Sequence, residues 1–206
     1  MQADDVIKTY RAVAADFDAG RDRRLVERRW LDRWLAAAPR TTGRIRALDL
    51  GCGGGRPIAT YVAERGAEVT GVDTAPELLD LFAERLPRAE AIEGDMRRLD
   101  LGRQFDAILA WDSFFHLSAA DQRGMFATFA AHAAPGAALM FTSGTEAGTA
   151  IGEVGGRPIF HESLSTEEYR ERLDDAGFDV LAHVAEDPDC AGHTVWLARA
   201  RLSLTA

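Results

Sequence analysis

A short apolar run, Ile45 to Leu50, ends in Gly51-Cys52-Gly53-Gly54-Gly55, with one carboxylate, Asp49, just before the glycines. Such a run reads as a strand buried between two layers. The glycines permit positive φ and let a ligand approach the main chain where a Cβ would collide. Pro57 suits the first turn of a helix, where its missing N–H costs nothing, so a helix is expected over 57–65. A strand, a glycine turn and a helix in this order put the loop at the carboxyl end of a strand, where open α/β sheets bind ligands.

The rest of the chain repeats that alternation. Helices are expected over 4–17 and 22–37, the second with Val26, Trp30, Leu31, Trp34 and Leu35 on one side. Strands at about 45–50, 68–73, 89–93 and 105–111 alternate with helices near 57–65, 75–86 and 119–134, the βαβ rhythm of a parallel sheet. Pro135-Gly136 is read as the stop of the last of these helices, with a fifth strand from 137 to 143. The glycine-rich stretch 144–162 shows neither helical nor strand periodicity and is read as a mobile loop over the site. Ser165-Thr166-Glu167-Glu168 opens a helix to Ala176, closed by Gly177. Phe178 to Val184 and Thr194 to Ala200 are expected to form a hairpin at the sheet edge.

The carboxylate beside the glycine loop decides between nucleotide ligands. A dinucleotide fingerprint wants glycine or alanine at its last position, and counting from Gly51 that position is Arg56. A diphosphate close to Asp49 would meet a like charge at short range. A ligand with an amino group and no phosphate, such as S-adenosylmethionine, fits that carboxylate instead.

Asp49-Leu50-Gly51-Cys52-Gly53-Gly54-Gly55 resembles the first motif of the class I S-adenosylmethionine-dependent methyltransferases. Val69-Thr70-Gly71-Val72-Asp73 follows as a second strand ending in an acid able to accept both ribose hydroxyls. Glu93-Gly94-Asp95-Met96 resembles the adenine-binding segment, and Phe105 to Asp112 the fourth strand, whose exit faces the methyl group. The resemblance covers about 45–143. It implies a three-layer α/β/α sandwich with a Rossmann-like, seven-stranded, mostly parallel sheet whose last strand is antiparallel. It also implies that Asp49, Gly51, Cys52 and Gly53 hold the methionine end, Asp73 and Thr74 the ribose, Asp95 and Met96 the adenine, and Trp111 the sulfonium side. Tyr10 to Phe17 loosely resembles the helix that folds over the cofactor in this family and supplies an aromatic residue, here Tyr10. The implied organisation is a helical lid over 1–40 and a methyltransferase domain over 41–206, one globular unit in all.

Composition narrows the partners. A formal charge of −9 disfavours a polyanionic substrate. The arginines at 21, 23, 24, 28 and 29 are interspersed with acids and read as a solvated helix face. Cys52 and Cys190 give neither a metal spacing nor a disulfide framework, and Cys52 reads as a small filler. No apolar run approaches the roughly 20 residues of a membrane span, and the amino terminus lacks the parts of a signal peptide. The expectation is a cytoplasmic enzyme, monomer or homodimer, that binds no nucleic acid, membrane or metal and methylates O, N or S of a small molecule. An NAD(P)-dependent oxidoreductase and a non-catalytic cofactor-binding protein are the alternatives.

Acceptor residues follow from position only. Trp111-Asp112-Ser113-Phe114-Phe115-His116-Leu117 leaves the fourth strand beneath the expected methyl group. Phe114 and Phe115 are candidates for an apolar substrate wall, although core packing explains Phe115 and Leu117 equally well. Asp112 and His116 are the candidate general bases, His116 preferred because imidazole titrates near neutral pH. His161 is a further substrate-binding candidate if a loop carries it across the pocket. His193, near an acidic turn, lacks metal-ligand spacing.

Overall fold

The computed structural model describes residues 2–40 and 43–202; residue 41, where the expected domain boundary falls, lies outside them. The elements run α1 (Ala3–Gly20), α2 (Arg28–Ala37), β1 (Arg46–Leu50), α3 (Ile58–Glu64), β2 (Glu68–Asp73), α4 (Pro76–Arg85), β3 (Glu90–Glu93) and β4 (Phe105–Ala110). There follow α5 (Ala119–His132), β5 (Ala133–Ser143), β6 (Gly148–Val154), β7 (Arg157–Ser163), α6 (Thr166–Asp175), β8 (Phe178–Asp187) and β9 (His193–Ala200). Seven strands form one sheet in the order β3-β2-β1-β4-β5-β9-β8, with β9 antiparallel to both neighbours. This is the architecture the resemblance implies.

Strand alternation explains the two covering layers. Ala47, Val69, Leu109, Met140 and Leu197 pack against Trp30, Leu31 and Trp34 of α2, Val62 of α3 and Phe82 of α4. Leu48, Leu50, Ile108, Leu139 and Trp196 face the other way, onto Phe126 and Phe129 of α5 and Tyr169 and Leu173 of α6. Trp34 Nε1 donates to the carbonyls of Ile108 and Ala138, so even its polar atom is satisfied inside the layer.

Three expectations need correction. The second helix begins at Arg28 rather than residue 22, because the chain turns through Leu25 at φ +54° and sends Arg21 inward. Pro135-Gly136 does not precede the fifth strand but lies inside it, at a register shift between Phe105 and Ala107 of β4 and their β5 partners. The stretch 144–162 is mostly a β6–β7 hairpin rather than a loop. Its two-residue turn is Gly155-Gly156, both at positive φ, the conformation that tight hairpins demand. Alternation is weak there because the hairpin buries little: Ile159 and Phe160 rest on Val6 of α1, and most of the remaining residues face solvent.

Candidate functional site

The carboxyl ends of β1, β2, β3 and β4 open onto one cavity of about 1090 Å³, counting the part open to solvent, and α1 lies across it. Its wall includes Asp49, Gly51, Cys52, Gly53, Asp73, Thr74, Asp95, Met96, Trp111, Asp112, His116 and, from α1, Tyr10. The residues expected at 10, 49, 51–53, 73–74, 95–96, 111–112 and 116 are thus brought together from segments separated by over 100 positions.

Backbone geometry forms the floor. Gly51 sits at φ +77°, and a Cβ there would lie 2.4 Å from Cβ of Ser113. Ser113 Oγ donates to the Leu50 carbonyl at 2.7 Å, so the loops after β1 and β4 interlock. The Gly53 and Ala75 N–H groups donate to separate oxygens of Asp73, at 2.8 and 2.9 Å. That bidentate acceptance ties the glycine loop to the end of β2 and leaves each oxygen lone-pair capacity toward the cavity.

The electrostatics are dominated by buried carboxylates. Asp49 is 7% exposed and accepts no hydrogen bond from the described residues. Burial, with the Asp73 charge adding to it, pushes its carboxyl from 3.8 up to about 7, against a smaller pull from Arg21. Asp73 is likewise raised by burial, opposed by its backbone donors. A pair of this kind asks for a cation or donors from a ligand. Asp95 differs: burial pushes it up, yet the bidentate Arg97 guanidinium outweighs that and holds it below the usual range. Arg97 also reaches Asp4 of α1 at 2.7 Å and Asp121 of α5 at 3.3 Å. The Cys52 thiol is pushed well above its ordinary value by burial and the two aspartates, as befits a filler and not a nucleophile.

Asp112 adopts φ +50°, a left-handed conformation that costs a non-glycine residue energy, and its N–H donates to Thr142 Oγ1. Its carboxylate receives His193 Nε2 at 3.0 Å and Arg21 Nη1 at 3.2 Å. The other His193 nitrogen, Nδ1, lies 2.6 Å from the Cys190 carbonyl, so both ring nitrogens face oxygen acceptors, an arrangement that favours the imidazolium. Hydrogen bonding to Asp112 raises His193, and those same two cations hold Asp112 low despite its burial. Arg21, in the cavity wall, and His193, which holds Asp112 without lining the cavity, are the two partners of Asp112 that the sequence did not point to. Arg21 is no solvated helix residue, and His193 meets Asp112 across 81 positions with no local signal.

His116 lines the cavity with its Nδ1 at 2.9 Å from the Phe160 carbonyl and its Nε2 at 3.0 Å from the Tyr10 hydroxyl. Burial, helped by the neighbouring His161, pushes it down to about 4. Phe114 is no substrate wall. It is fully buried among Phe126, Phe129, Phe141 and Tyr169, because the turn after β4 points it into the α5 layer. Phe115 and His161 lie outside the main cavity, in an adjoining groove between β5 and the β6–β7 hairpin that also contains Glu146 and Glu162. His161 sits on β7 rather than on a loop, and a Cβ on Gly152 would collide with its ring at 2.7 Å. No group of three or more potential metal ligands exists among the described residues, and no helix among them is long and apolar enough to cross a membrane.

Residues 47–136 match the model of the methyltransferase domain family. The chain is 37% identical over 92 residues to a magnesium-protoporphyrin O-methyltransferase of Rhodobacter capsulatus, covering 42% of this chain and 40% of that protein. It is 32% identical over 103 residues to a dTDP-3-amino-3,4,6-trideoxy-alpha-D-glucopyranose N,N-dimethyltransferase of Streptomyces venezuelae, covering 49% and 43%. The chain therefore spans less than half the length of these two relatives. An S-adenosylmethionine-bound amino pentose methyltransferase from Micromonospora echinaspora shares the fold, with a TM-score of 0.68 at 23% identity over 91% of this chain and 95% of that one. The oxidoreductase alternative finds no support in these matches.

Proposed function

We propose that this chain, whose residues 47–136 match the methyltransferase domain family model, moves the methyl group of S-adenosylmethionine onto an oxygen, nitrogen or sulfur atom of a small molecule. The observation that carries this reading is Asp49, a buried carboxylate with no donor among the described residues, in the wall beside the glycine loop. An amino-acid ammonium would supply the missing cation, whereas a diphosphate would add charge of the wrong sign. In the same reading Gly51, Cys52 and Gly53 border the methionine moiety, the free lone pairs of Asp73 take the ribose hydroxyls with Thr74 beside them, and Asp95 and Met96 border the adenine.

When bound, the cofactor supplies a methyl carbon on a good sulfonium leaving group. The protein's own task is then to orient an acceptor in line and to exclude water. Helix α1, fixed to the rim by the Asp18–Arg85 and Asp4–Arg97 pairs and by the Arg21–Asp112 pair just past its end, acts as the lid. Trp111 and Asp112 form the wall on the transfer side. The groove holding Phe115 and His161 is the entry for the acceptor, and its two glutamates and lack of lysine or arginine favour a neutral or amine-bearing molecule over an anion. The two named relatives act on an oxygen and on a nitrogen, so both acceptor atoms remain in the reading.

Titration calorimetry with S-adenosylhomocysteine and with NAD, followed by transfer of tritiated methyl to a small-molecule extract, tests the assignment. Binding of the homocysteine compound with no response to NAD is expected. The reverse pattern would overturn it, and binding without any labelled product would make the protein a non-catalytic cofactor binder.

A further inference from the structure

The hydrogen bonds around His116 fix its tautomer. Phe160 offers a carbonyl, which can only accept, so Nδ1 at 2.9 Å must carry a proton. The neutral ring then has one lone pair, on Nε2, and the Tyr10 hydroxyl donates to it at 3.0 Å. His116 is 7% exposed, and its flanking groups are Tyr10 from α1, His161 from β7 with ring centres 4.8 Å apart, and Asp112 at the end of β4. Burial and the second imidazole oppose a charged ring. The base nitrogen is therefore capped, and an acceptor in the cavity cannot reach it without displacing Tyr10. The tyrosine oxygen makes no other hydrogen bond among the described residues, and Tyr10 itself lines the cavity. Its edge-on contact with Phe17, ring centres 5.1 Å apart, holds it in place.

We propose that Tyr10 is the catalytic residue that takes the acceptor's proton, and that His116 is a positioning and relay residue acting through it. The tyrosine need not ionise on its own, which its burial would oppose. As the acceptor's lone pair forms its bond to the methyl carbon, the carbon–sulfur pair stays with sulfur, whose positive charge is lost. The acceptor's proton passes to Tyr10 Oη, the Tyr10 proton passes to His116 Nε2, and the imidazolium then gives up a proton to solvent. Charge is conserved: one cation is consumed and one proton is produced. The proposal rests on the methyl-transfer reading for its reaction, whereas the tyrosine–histidine pair stands on geometry alone.

Two readouts test it. Nitrogen NMR of the imidazoles in the complex with S-adenosylhomocysteine should show His116 neutral and protonated on Nδ1 from pH 7.5 down to about 5.5. Its Nε2 resonance should shift in Tyr10→Phe. Turnover with tritiated S-adenosylmethionine and the small-molecule extract should fall about 100-fold or more in both Tyr10→Phe and His116→Gln. The homocysteine compound should still bind within about threefold, and the double variant should be no slower than either single one. An Nε2-protonated or charged His116 at neutral pH, or a Tyr10→Phe variant with undiminished turnover, would overturn the proposal. Failure of the methyl-transfer reading would appear separately, as absent binding with the tautomer unchanged.

Discussion

Lowering the pH should weaken binding of S-adenosylhomocysteine by protonating one side chain, Asp49. Its carboxyl, buried beside Asp73 with only a weak counter-pull from Arg21, titrates at about 7 in the unliganded protein. A ligand whose ammonium pairs with Asp49 binds the ionised form, so the apparent dissociation constant scales as one plus the ratio of protonated to ionised carboxyl. Between pH 7.5 and 5.5, where the ligand's amino group stays protonated, that factor grows about 25-fold, close to 2 kcal/mol. At pH 6 each binding event should release about 0.9 proton. Calorimetry with S-adenosylhomocysteine in buffers of different ionisation heat measures both quantities. Asp49→Asn should bind more weakly at pH 7.5, by the roughly 1.5 to 3 kcal/mol of a charge-assisted hydrogen bond, and lose the slope. An affinity flat over this range, or a slope that survives in Asp49→Asn, would refute the pairing of this carboxylate with the ligand's amine.

Four further outcomes are expected. Asp73→Ala removes the acceptor of two backbone N–H groups and the proposed ribose partner, so S-adenosylhomocysteine affinity measured by calorimetry should drop at least tenfold, which corresponds to about 1.4 kcal/mol. Gly51→Ala puts a methyl 2.4 Å from Ser113 Cβ at a positive φ, so it should abolish cofactor binding while circular dichroism reports a folded protein. Phe114→Ala should cost about 3 to 5 kcal/mol of stability in urea unfolding, because the ring is core and not pocket. His193→Gln should lower the melting temperature most between about pH 4.5 and 6.5. The His193–Asp112 pair stabilises the fold above the ordinary aspartate value and below the ordinary histidine value, and that contribution fades as pH rises through the raised value of His193.

Chain order and local pattern were enough for the sheet and for which strand-end residues reach the cavity. Those features are local: apolar strands, a glycine turn, and acids placed at strand ends by chain order, so Asp49, Gly51, Asp73 and Trp111 were legible without a structure. Residues whose role depends on meetings across the fold were not. Arg21 and His193 converge on Asp112 from the two ends of the chain, and Phe114 turns away from the cavity although its neighbours Asp112 and His116 line it. The β6–β7 hairpin was hidden for a related reason, since it buries only one edge against α1 and so carries no alternating pattern. Periodicity records burial along one element, whereas hydrogen bonds between distant side chains leave no trace in spacing. That Tyr10 caps His116, 106 positions away, follows from the packing of α1 across the cavity.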